Sequence, residues 1–158
     1  MRRFITLSLS HGAALMVGFV LGIYLLPILT APKAPDTIVL EQMAEGAEFT
    51  GTFTRDLRGS DFLHWGEGAV SITDNQIIHK GKLSPGPDYK LYLVKDFVEH
   101  ENEFISIKSS AQYVGDVKSF NGFALDLPQD VDPSEYTTVV IWCEAFSEFI
   151  TAAPYQSI

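Results

Sequence analysis

Three stretches of the chain differ in their apolar period. From Phe4 to Ala31 there is no Asp, Glu, Lys or Arg, and apolar residues are densest between Gly12 and Leu29. At about 1.5 Å of rise per residue that segment forms about 27 Å of helix, close to the hydrocarbon thickness of a bilayer. A helix satisfies its own backbone polar groups, as lipid requires. The pattern predicts a transmembrane helix over residues 4–29. Arg2 and Arg3 precede it, which places the N-terminus in the cytoplasm and the rest of the chain in the periplasm or outside the cell. Cleavage of the segment as a signal peptide is disfavoured. The two candidate sites, after Ala31 and after Ala34, are each followed by proline, and each has Leu29 or Pro32 where a small residue is needed. Ala14, Gly18 and Gly22 recur every four residues, a small-residue ridge of the kind that pairs membrane helices into dimers.

Residues 30–47 form a linker. Pro32 and Pro35 stop the helix, and residues 37–47 hold enough mixed polarity for a short second helix. From residue 48 to 158 the period changes to two. Phe49, Gly51 and Phe53 alternate with three threonines. Further strands are predicted at 69–73, 77–79, 89–94, 111–117, 123–127, 137–143 and 149–153, with a turn at Asp74-Asn75. Helix is expected only within 97–108 and as a turn at 133–135. Short strands at about ten-residue spacing make the domain all-β, an antiparallel sandwich or barrel.

Charge and cysteine count narrow the function classes. Nine Lys/Arg face twenty Asp/Glu after residue 31, and no basic cluster exists for nucleic acid. The one cysteine, Cys143, excludes an intrachain disulfide and a cysteine-based zinc cluster. No P-loop, dinucleotide fingerprint or Ser/His/Asp order is present. His64, His79 and His100 lack metal-ligand spacing, nothing in the spacing selects a haem or copper site from a histidine with Cys143 or Met43, and no cofactor is expected.

Within 138–144, Val139, Ile141 and Cys143 share one strand face, while Val140, Trp142 and Glu144 share the other. Both faces are apolar, so the strand belongs at the centre of the sheet. Two readings of Cys143 stay open: a small buried hydrophobe, or an unpaired thiol that oxidises through sulfenic acid or one-electron steps outside the cytoplasm. Glu144 and the acidic field raise its pKa, which argues against a strong thiolate nucleophile. Pro85-Gly86-Pro87-Asp88 reads as a rigid turn, with Gly86 free to take positive φ and Asp88 bracing the loop or meeting a partner.

Four segments resemble the DM-13 family, also labelled electron-transfer DM: His64-Trp65-Gly66-Glu67-Gly68-Ala69-Val70, Pro85 to Tyr92, Val114-Gly115-Asp116-Val117-Lys118, and the closing strand from Val139 to Phe146 with its lone cysteine. The resemblance implies a mostly β extracytoplasmic module in which Cys143 is the redox candidate. Asp88 and Tyr89 follow as lesser candidates, with His64 and Trp65 as further binding candidates. It also implies that electrons would pass to a second envelope protein, a redox or haem protein. The alternative is a non-enzymatic scaffold that binds protein or glycan through Trp65, Tyr89 and Tyr92.

Overall fold

The computed structural model describes residues 1–157. The apolar N-terminal segment is one helix, α1 (Arg2–Thr30), long and apolar enough to cross a membrane. Pro27 lies inside it and cannot donate to Ile23, so the last turn is held by the bond from the Ala31 N–H to the Pro27 carbonyl, 2.9 Å. A short α2 (Thr37–Ala44) follows.

Eight strands come next: β1 (Phe49–Phe53), β2 (Gly66–Ile72), β3 (Gln76–Leu83), β4 (Tyr89–Val94), β5 (Gln112–Val117), β6 (Phe123–Asp126), β7 (Thr138–Cys143) and β8 (Glu148–Ser157). Between β4 and β5 lies α3 (Glu101–Ile107). All strands join one antiparallel sheet in the order β5-β4-β7-β8-β1-β2-β3-β6. The sheet curls into a nearly closed barrel. Its two ends, β5 and β6, share no ladder among the described residues, but Leu125 closes over Gly115, 3.6 Å from where a Cβ would stand. Of the two architectures that the strand pattern allowed, the barrel is the one formed.

β7 is central, paired with β4 and β8, and buried along its whole length. Val139, Ile141 and Cys143 point into the barrel. Val140 and Trp142 point outward into a second core that α3 covers with Phe104. α2 lies along the outside, with Leu40 buried.

The register fixes two ends. β1 finishes, β2 starts, β3 finishes, β4 starts and β7 finishes at one end, which we call the mouth. Connections 54–65, 84–88, 118–122 and 144–147 lie there. Connections 45–48, 73–75 and 127–137 lie at the far end, where 95–111 also leaves β4 and enters β5.

Candidate functional site at the barrel mouth

Cys143 ends β7 directly opposite Tyr89, the first residue of β4. Both are buried, at 2% and 3% exposure. They nevertheless line a cavity of about 220 Å³ at the mouth, together with His64, Phe146, Ile150 and, from α1, Tyr24. The sulfur is therefore largely covered but borders a half-open pocket, most of whose lining is apolar.

Burial pushes the Cys143 thiol above its ordinary pKa, while the backbone amides of Phe146, Asp88 and Ala145 pull the other way. Burial also raises the Tyr89 phenol strongly, against a weaker opposing hydrogen bond with Ser84. The Tyr89 Oη lies 3.3 Å from Ser84 Oγ, and Ser84 Oγ accepts from the Trp65 N–H at 3.1 Å. Cys143 and Tyr89 are thus both held in their neutral, protonated forms at neutral pH.

Glu148 also lines the cavity wall, and so does His64. Its Nδ1 lies 3.1 Å from the Asp61 carboxylate, which also accepts the Leu63 and His64 backbone N–H groups at 2.6 and 2.7 Å. A carboxylate accepts, so Nδ1 carries a hydrogen, and in the neutral ring Nε2 is the acceptor.

Not every candidate from the sequence comes to this cavity. Asp88 faces out of it: its carboxylate pairs with Lys90 Nζ at 3.0 Å, and its carbonyl accepts the Glu144 N–H at 2.9 Å. Asp116 takes the other side of Lys90 at 2.7 Å. Asp88 thus stands on the rim, tied to β4 by its carboxylate and to the start of the 144–147 connection by its carbonyl. Trp65 lies under the Arg55 guanidinium, 3.3 Å from its ring centroid, and that arginine is held by both Glu67 oxygens. Tyr92 is on the outer face against Phe104, its hydroxyl bonded to Glu144. His79 is buried inside the barrel, and His100 caps α3 through the Asn102 N–H. Among the described residues, no cluster of three His, Cys, Asp or Glu could hold a metal ion.

The expectation for Gly86 is corrected. The glycines with positive φ are Gly68 and Gly122, not Gly86. A side chain at Gly86 would begin 2.3–2.4 Å from the Cε1, Cζ and Oη atoms of Tyr89. Glycine is needed so that the turn can lie on the phenol ring. Gly86→Val is expected to displace the phenol, cost about 1–3 kcal/mol of stability and speed the labelling of Cys143 by N-ethylmaleimide. Unchanged labelling and stability would show that the turn does not cover the cavity.

The family described as Electron transfer DM13 matches residues 53–155, well over half of the chain. The chain belongs to the DM13 family. The matched span runs from the last residue of β1 almost to the end of β8, so the DM13 domain is the barrel itself, with Cys143 and Tyr89 inside the match. Neither curated proteins nor solved structures give a match. Ser84, Tyr24 and Ile150 entered this DM13 site without notice from the sequence. Of these, Tyr24 alone had a signal, as the one phenol in an apolar helix.

Proposed function

We propose that this DM13 protein is a membrane-anchored electron-transfer module, carried outside the cytoplasm on α1, whose working group is the Cys143 thiol. The observation that carries the reading is the placement of the sulfur on a cavity wall beside Tyr89 and His64. A thiol whose ionisation is opposed by burial gives up an electron only together with its proton. In the step proposed, the S–H bond of Cys143 breaks, one electron passes to the oxidised redox group of a partner protein in the envelope, a haem protein among the candidates, and the proton goes to Nε2 of His64. The product is a neutral thiyl radical; the Tyr89 phenol, protonated and opposite in register, can give it a hydrogen atom, which restores the thiol and leaves a tyrosyl radical.

Protein-film voltammetry of the full chain tests this. A wave present in the wild type and lost in Cys143→Ser supports the proposal. A wave kept in Cys143→Ser, or no wave in the wild type, overturns it. The second reading, a binding scaffold without redox work, draws on the 2% exposure of Cys143. In that case Cys143→Ser changes stability alone, by about 1 kcal/mol.

A further inference from the structure

α1 touches the barrel along one face. Ile23, Pro27 and Ala31, spaced by four, are its half-buried residues in the outer half, and Ala31 packs on the barrel core. The outer end of the helix therefore lies beside the mouth and not the far end.

The mouth changes polarity along α1. Beside Pro27 to Pro32 the opposing wall includes Asp88, Asp116 and Lys118. Beside Gly18 to Pro27 it is Pro87, Ala145 and Phe146. Beside Val20 to Tyr24 the wall includes Leu63, with His64 and Glu148 among its polar members. Charged groups thus cluster at the helix terminus, where water lies, and the wall beside Gly18 to Pro27 is mainly apolar. Three large apolar side chains at this end are exposed: Phe62, Phe146 and Leu63, at 91%, 52% and 47%.

Charge separates in the same direction. The mouth connections 54–65, 84–88, 118–122 and 144–147 hold three basic and four acidic residues. The far-end connections 45–48, 73–75, 95–111 and 127–137 hold ten acidic and two basic residues. There Glu48 is pushed above its ordinary pKa by its hydrogen bond to Asp74, the repulsion of that carboxylate, desolvation and the more distant Asp132. That end is repelled by an anionic surface and belongs in water, whereas the mouth is close to neutral.

We propose that the mouth of the barrel docks on the bilayer surface around α1, with Phe62 entering the headgroup region and Leu63 and Phe146 reaching the outer acyl chains beside α1. Aromatic and aliphatic side chains beside a membrane helix gain free energy at those depths, and the short tether through Pro32 and Pro35 allows the mouth no long excursion. The cavity that holds Cys143 then opens toward lipid. The inference rests on the anchoring of α1 proposed above.

The test uses the full chain in phosphatidylcholine nanodiscs, with an environment-sensitive fluorophore at Phe62→Cys, Val17→Cys or Asn75→Cys, each in a Cys143→Ala background. A nitroxide on the lipid acyl chain near the headgroup is the quencher. Emission is expected to fall about twofold or more at positions 62 and 17 and to stay unchanged at 75. If position 62 behaves like 75 while 17 is quenched, docking fails and anchoring stands. If 17 is also unquenched, anchoring fails and docking with it. Phe62→Trp, with Cys143 left in place and brominated phosphatidylcholine as quencher, gives the same answer without relying on the Cys143→Ala fold: added tryptophan emission that the lipid quenches supports docking, and emission it leaves intact overturns it.

Discussion

Trp142→Ala lowers the unfolding free energy of the barrel by about 3–5 kcal/mol. Trp142 is among the largest fully buried side chains, at 1% exposure. It fills the outer core where β7 meets α3, its ring centroid 4.9 Å from that of Phe104, with Phe149 and Val140 in the same cluster. Truncation leaves a cavity between a fully paired central strand and a helix of only seven residues, and neither can collapse into it. The indole Nε1–H is buried with no acceptor. Trp142→Phe therefore removes an unsatisfied donor while keeping most of the contact, and costs less than half as much. Urea unfolding of the full chain in mild detergent, followed by circular dichroism, checks both variants. A loss under about 1 kcal/mol for Trp142→Ala would mean that α3 contributes little to holding β7, and with it Cys143.

The second large effect depends on pH. His79 is fully buried, with its ring between Phe53 and Phe123 at centroid distances of 5.2 and 5.0 Å. Nε2 lies 3.0 Å from the Glu67 carbonyl oxygen, which can only accept, so Nε2 carries the hydrogen and the ring is neutral. Nδ1 has no partner. Burial pushes the pKa from 6.5 down to about 4, against the smaller opposing effect of the Glu67 hydrogen bond. The unfolded chain takes up a proton below its ordinary histidine pKa, and the folded one does so only near pH 4. Stability from this group is present in full above about pH 6.5 and is lost as the pH falls toward 4, by about 3 kcal/mol in all. His79→Phe keeps the aromatic packing and removes the titration. The stability of the wild type relative to this variant, measured by urea unfolding at pH 7, 5.5 and 4, is expected to fall across that window. A difference that stays constant would show that His79 is not desolvated as the fold implies. Comparing the two proteins cancels the opposite contribution of Glu48, whose raised pKa relieves repulsion as acid is added.

Period and composition made much of this chain legible. An uncharged apolar stretch has few options other than a long helix, and α1 formed over Arg2–Thr30. Alternation marked the strands because a pleated chain turns successive side chains to opposite faces. That is also why Cys143 and Trp142 separate into inner and outer cores. Turn signals at Asp74-Asn75 and Pro133 fell where β2 meets β3 and where a short 3-10 turn precedes β7.

Pairing partners are another matter. Local period says that a strand exists but not what lies beside it, so the placement of β8 next to β1, and of β6 next to β3, was decided by long-range packing. Those neighbours close the barrel, bury His79 between two phenyl rings and bring the Pro85-Gly86-Pro87 turn onto Tyr89. They also gather residues distant in sequence at one end, so that a cavity forms around Cys143 where α1 arrives, and they collect acidic connections at the other. The chain alone determined an apolar helix, a β domain and one sulfur on a central strand. Only closure of the sheet decided what that sulfur faces, because burial and neighbours depend on contacts between strands far apart in the chain.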